Sequence, residues 1–152
     1  MTRVIAGRYE TLDLLGEGAH GEVWEARDRL SQRVVAVKRL RPDVKLPPAR
    51  VQLEVAALRL RLPGVVELYD HGIDEEERPY LVMERVHGRA FPGLPGQREW
   101  ADIADVTAAL LETLAHVHAA GVLHRDLKPA NVLVTNERGI KVLDFGIARR
   151  TN

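Results

Sequence analysis

The sequence predicts an α+β fold: a five-stranded antiparallel sheet carrying one helix, followed by a portion built around a long helix. Three observations predict it. Residues 9–86 alternate between short β-branched runs and turn residues, the pattern of successive hairpins. One segment of helical period, Ala49–Leu62, interrupts those runs. A longer one, Trp100–Ala120, follows them.

The elements follow in order. Tyr9–Leu15 alternates and reads as a strand ending at glycine. Gly16-Glu17-Gly18-Ala19-His20-Gly21-Glu22-Val23 is a glycine-rich turn, and Glu22–Arg27 continues as the second strand. Ser31-Gln32 turns the chain into Arg33–Leu40, a β-branched third strand. Glycines between two strands let backbone approach a ligand closely. A dinucleotide-binding turn would need a helix after the glycines, and a P-loop would need Gly-Lys-Ser/Thr. Neither is present.

Lys38 ends the apolar run Val35-Ala36-Val37. Taken alone it reads as a snorkelling lysine. Pro47-Pro48 stops the next loop, and Ala49–Leu62 places Val51, Val55, Leu58 and Leu62 on one helical face. Glu54 is the sole acid of that helix, with Arg50, Arg59 and Arg61 around it, so a solvated ion pair is its plain reading. Pro63-Gly64 ends the helix. Val65–Tyr69 and Pro79–Met83 read as the fourth and fifth strands, joined by the charged turn Asp74–Arg78. His87–Gln97, rich in glycine and proline, reads as a loop. In Trp100–Ala120 the residues Ile103, Val106, Leu110, Leu114 and Val117 share a face, and Gly121 caps the end. His116 and His118, two residues apart, fall on different faces and make no metal pair.

Composition narrows the function. The chain has 152 residues, enough for a domain with a real core. Lys+Arg and Asp+Glu both total 22, which argues against nucleic-acid binding or a membrane-surface role. There is no cysteine, hence no disulfide framework and no thiolate metal site. No apolar run approaches the ~18 residues of a membrane span. The expectation is a cytoplasmic domain in a reducing compartment.

The chemistry is concentrated in Val122–Val134, V-L-H-R-D-L-K-P-A-N-V-L-V. Apolar residues flank His124, Arg125, Asp126, Lys128 and Asn131, and Asp144-Phe145-Gly146 follows. An acid that can accept a proton, a cation and two hard-oxygen ligands suit reaction at a phosphate with bound Mg²⁺. Together with the glycine-rich turn, Val35-Ala36-Val37-Lys38 and Glu54, this set resembles a bacterial, eukaryotic-like (Hanks-type) serine/threonine protein kinase. The resemblance runs from Tyr9 to Arg149.

It implies a protein-kinase-like fold, with residues 1–86 as N-lobe and hinge and 87–152 as a partial C-lobe. It implies ATP and Mg²⁺ as cofactors and a protein Ser/Thr hydroxyl as acceptor. Asp126 would orient or accept the hydroxyl proton, Lys128 would steady the transferring phosphoryl group, and Asn131 and Asp144 would hold Mg²⁺. Lys38 would meet the α- and β-phosphates, held by Glu54. The nucleotide would lie against Leu15, Gly16, Glu17, Gly18, Ala19, His20, Gly21, Glu22 and Val23. Ala36 and Leu133 would flank the adenine, with Met83 as gatekeeper and backbone of Glu84 and Val86 at its edge. His124, Phe145, Leu58 and Leu68 match the family's hydrophobic spine. The Leu127–Asn131 stretch is of the serine/threonine rather than the tyrosine type.

After Gly146 the sequence runs six residues, without the activation segment or the substrate-binding helices of the family. The resemblance therefore implies a fragment or truncated form. Exposure of the long helix would then favour self-association. The alternative function is a non-catalytic module that binds ATP or a partner.

Overall fold

The structure is a computed structural model and describes residues 2–18, 21–45, 59, 61–93, 99–121, 127–143 and 149–150. It divides into two compact units. One comprises Met1–Pro48, Glu67–Arg85 and Ala148–Asn152, the other Ala49–Val66 and Val86–Ile147.

The first unit is built on an antiparallel sheet. Its strands are β1 (Val4–Ile5), β2 (Tyr9–Gly18), β3 (Gly21–Asp28), β4 (Val34–Leu40), β6 (Leu68–Ile73) and β7 (Pro79–Glu84). They lie in the order β1-β2-β3-β4-β7-β6, and β5 (Val44–Lys45) stands apart. The five expected strands are there, and Val4–Ile5 adds a sixth, too short to show any period. Ile5, Tyr9, Ala26, Val35, Val37, Tyr80 and Val82 form the core on one face of the sheet. Each fully buried valine or isoleucine among them contributes about 1.5–3 kcal/mol.

The β3–β4 turn is closed by Asp28. Its carboxylate accepts from the Leu30 N–H at 2.9 Å, the Ser31 hydroxyl at 2.8 Å and both arms of the Arg8 guanidinium at 2.8 Å. Gln32 takes a positive φ there.

Three boundaries differ from expectation. The glycine-rich stretch is not a turn from Gly16 to Val23 but a continuing ladder, with Gly16 opposite Val23 and Gly18 opposite Gly21. Backbone pairing needs no side chain, so the glycines do not stop the strands. The fourth expected strand begins at Leu68 rather than Val65 and runs on to Ile73. Gly64, at φ +77, turns the chain first, and Val65 instead makes a parallel bridge to Val142. The expected loop His87–Gln97 contains a short strand, β8 (Gly88–Ala90). The helix expected over Ala49–Leu62 lies almost wholly outside the described residues.

In the second unit, β8 pairs with β9 (Val132–Thr135), which pairs with β10 (Ile140–Val142), all antiparallel. The helix α1 (Trp100–Ala119) packs against β10. Glu99 and Asp102 form a reciprocal capping box at its start, which satisfies orphan N–H groups of the first turn. Gly121 follows its end at φ +77, the expected glycine stop. Val106 and Val117 are buried as the helical period requires, and Thr113 joins them. Trp100 and Leu111 are exposed. In the first unit, Arg149–Arg150 form β11, paired antiparallel with β5. Among the described residues no helix is long and apolar enough to cross a membrane.

Candidate active site

Strand β4 carries the candidates of the first unit. Side chains alternate across a strand, and directly paired residues share a face. Lys38 is paired with Val23 on β3 and Leu81 on β7, and Ala36 with Glu25 and Met83. The register therefore brings Val23, Ala36, Lys38 and Met83 to one face, opposite the Val35–Val37 core. Lys38 is 9% exposed, so its side chain is buried against the sheet. Leu15 and Gly16 follow on the adjacent strand, where Gly16 opposes Val23.

The glycines of the hairpin have two uses. Gly21 lies at φ +146, and a side chain there would collide with the Arg39 carbonyl, so only glycine lets β3 lie this close to β4. At Gly16 and Gly18 an added Cβ would meet nothing within 4 Å. That open space suits a phosphate approaching backbone N–H groups. Ala19 and His20 lie outside the described residues.

Glu22 takes a different course. It is paired with Arg39, on the face away from Lys38. Arg39 is 1% exposed and donates to the Asp74 carboxylate, to Glu76 at 2.7 Å and to Glu22 at 3.5 Å. Arg78 and Arg3 approach the same Glu22 oxygen at 3.6 and 3.9 Å. Burial opposes ionisation of Asp74, but hydrogen bonds from Arg39 and from the Arg78 and Glu76 N–H groups outweigh it and hold its pKa below the ordinary value. By sequence alone Arg39 is a strand residue and Asp74 part of a charged turn. The signal that pointed to the pair is the alternation: position 39 shares the inward face of Val35 and Val37, and a cation there requires a carboxylate.

The second unit holds the other candidates. Pro129–Asn131 is a single 3-10 turn with Lys128 at its N-cap. Proline at the first helical position has its φ preset for the turn. Asn131 is buried and its N–H bonds to the Lys128 carbonyl at 2.9 Å, whereas Lys128 is exposed. The Asn131 carbonyl accepts from the Leu143 N–H at 2.8 Å. Val142 is fixed in turn by the Gly64 carbonyl at 2.7 Å and the Val66 N–H at 3.0 Å. The residue that precedes Asp144 is therefore tied to the turn that carries Asn131. Leu133 sits on the central strand β9, opposite Ala90 and Lys141. Glu84 ends β7, its N–H bonded to the Glu67 carbonyl at 2.9 Å, and Val86 is half-buried.

Glu54, Asp126 and Asp144 lie outside the described residues, as do His124, Phe145 and Leu58. Among the described residues no cluster of three or more His, Cys, Asp or Glu could hold a metal. The donor that is described, the Asn131 side chain, offers a hard amide oxygen, which fits Mg²⁺ with a carboxylate and phosphates completing the set.

The chain matches the protein kinase domain family over residues 9–152. It is 42% identical to the probable serine/threonine-protein kinase PknB of Corynebacterium glutamicum, across 100% of this chain and 25% of the relative. It is 41% identical to a probable serine/threonine-protein kinase of Streptomyces coelicolor, across 97% and 23%. A serine/threonine-protein kinase PknB of Mycobacterium leprae is 37% identical, across 95% and 25%. The chain spans about a quarter of the length of these curated relatives.

Proposed function

This chain belongs to the protein kinase domain family, among serine/threonine kinases of the bacterial eukaryotic-like type, and we propose that it serves transfer of the γ-phosphoryl group of ATP to a protein Ser/Thr hydroxyl. The observation that carries this reading is the strand register. It sets the buried Lys38 on one face with Val23, Ala36 and Met83, beneath a hairpin whose Gly16 and Gly18 leave open space.

The proposed roles follow from charge. Lys38 meets the α- and β-phosphates, with Glu54 as its partner, and Val23, Ala36, Leu133 and Met83 enclose the adenine. Asp126 orients the acceptor hydroxyl and takes its proton as the oxygen attacks phosphorus and ADP leaves. Lys128 steadies the moving phosphoryl group. Asn131 and Asp144 would hold Mg²⁺, which when bound neutralises phosphate charge. Little covalent work falls to the protein, so positioning and charge supply most of the rate.

The test is phosphate transfer from γ-labelled ATP to a Ser/Thr peptide, run beside a nucleotide-binding titration. Transfer lost in Asp126→Asn with nucleotide binding kept supports the reading. Transfer unchanged in that variant, or nucleotide binding absent in the unaltered chain, defeats it.

A further inference from the structure

The Arg39 network lies on the face of the sheet that the proposed chemistry does not use, yet it touches the glycine-rich hairpin. Glu22 is the first residue of β3 after the hairpin's last glycine, and it lies opposite Arg39 in the ladder. Arg39 is the residue after Lys38. Its guanidinium is buried and already committed to Asp74 and Glu76, on the turn between β6 and β7. That turn is itself rigid: the Asp74 carboxylate accepts from the Glu76 and Arg78 N–H groups, both at 2.9 Å, and Arg78 donates to the Leu40 carbonyl at 2.8 Å. The third arm of Arg39 reaches Glu22 at 3.5 Å, and Gly21 rests against the Arg39 carbonyl. The β6–β7 turn, the lysine strand and the root of the glycine hairpin thus meet at one side chain.

We infer that Arg39 and Glu22 are positioning residues for the nucleotide: their ion pair fixes the height of the glycine-rich hairpin above Lys38. The inference rests on the nucleotide reading of this face. Strand pairing alone fixes the register of β3 against β4 but leaves a hairpin free to bend at its glycines. An ion pair at its root, anchored to a buried guanidinium, limits that bending. Phosphate contacts made by the hairpin then cost less ordering on binding, because part of it is already in place. The Glu22 carboxylate itself never reaches the ligand, since it points to the other face.

Glu22→Ala tests this on the full chain, because Glu22 is only partly buried and its loss leaves Arg39 paired with Asp74 and Glu76. Hydrogen exchange of the amides at positions 14–24 is followed without nucleotide, and ATP affinity is titrated alongside, with Lys38→Met as the binding-defective reference. The inference expects faster hairpin exchange and ATP affinity weakened about two- to fivefold, the range for a partly exposed ion pair, with the unfolding midpoint lowered by no more than about 4 °C. A purely structural role would lower the midpoint and leave affinity alone. If hairpin exchange matches the unaltered chain, the inference is overturned, whether or not ATP binds. If the unaltered chain binds ATP, Lys38→Met does not, and Glu22→Ala binds as well as the unaltered chain, the nucleotide reading stands and this inference fails.

Discussion

The backbone carbonyl of Asn131 accepts a hydrogen bond from the N–H of Leu143 at 2.8 Å. The two residues are twelve apart in sequence, yet the bond ties the proposed metal-binding amide to the residue preceding the proposed metal-binding carboxylate. Both partners are main-chain atoms, so the bond survives any change of the Asn131 side chain. Asn131→Ala is therefore expected to keep the fold at a cost of about 1 kcal/mol for the lost side-chain interaction. It should weaken the response of ATP binding to Mg²⁺ by roughly tenfold or more. A Mg²⁺ titration of ATP affinity reads this directly. The same Mg²⁺ response in both proteins would remove Asn131 from the ligand set.

Lys38 is buried between Val23 and Leu81 on neighbouring strands. Methionine has a similar length and no charge, so Lys38→Met keeps the packing and deletes the ammonium. A hydrogen bond to a charged group is worth about 1.5–3 kcal/mol, so ATP affinity should fall about 10- to 150-fold. The nucleotide-free variant should still unfold in a single cooperative transition, so that lost affinity is not lost fold. Calorimetric titration at fixed Mg²⁺ measures the first effect and thermal unfolding the second. Equal ATP affinity would show that Lys38 snorkels and serves no phosphate.

The elements that position Lys38 were legible because each has a strong local pattern. Val34–Leu40 is β-branched and bounded by turns, and α1 repeats its apolar residues with helical period. What escaped the sequence has no local signature. Gly88–Ala90 carries no apolar alternation and is a strand only because β9 lies beside it. Gly64 takes its left-handed turn where Thr113 of α1 leaves no room for a side chain, a contact between residues far apart in sequence. Arg39 and Asp74 are separated by 35 positions. Each half was visible, as a cation in a strand and an acid in a turn, but their union is tertiary. Of the proposed catalytic set, Lys38, Lys128 and Asn131 are described, whereas Asp126, Glu54 and Asp144 are not, so their motifs remain the argument for them.

Acid sensitivity should trace to Asp28. The paired hydrogen bonds from Arg8 pull its pKa far below the ordinary carboxylate value, against the opposing effect of burial. A depressed folded-state pKa gives stability that is fully present above the unfolded value, near 3.9, and lost as pH falls below it. The urea midpoint should therefore hold from about pH 7 to pH 5 and drop between about pH 4 and pH 2. Asp28→Asn should lower the midpoint at neutral pH and flatten the acid limb. Flattening will be partial, since Asp74 and Glu76 are also held low by Arg39. An acid limb of unchanged slope in the variant would assign the pH dependence to other groups.

Asp74→Ala leaves the Arg39 guanidinium buried with the loss of its main partner. Glu76 cannot make up the difference, because its carboxylate is half exposed and already shared with Arg3 at 2.7 Å. Removing one member of a buried pair costs about 3–5 kcal/mol, since the remaining charge stays desolvated. The β6–β7 turn loses two hydrogen bonds as well, from the Glu76 and Arg78 N–H groups, at about 1 kcal/mol each. Replacing both partners, as in Arg39→Met with Asp74→Leu, removes the stranded charge and leaves only the turn deficit. The double variant should therefore be more stable than Asp74→Ala alone, within about 2 kcal/mol of the unaltered protein. Urea unfolding at pH 7 measures all three. Should Asp74→Ala cost less than about 1 kcal/mol, the ion pair is not what holds this turn to the lysine strand. Should the double variant fall below the single, its apolar pair fails to fill the space that the charges occupy.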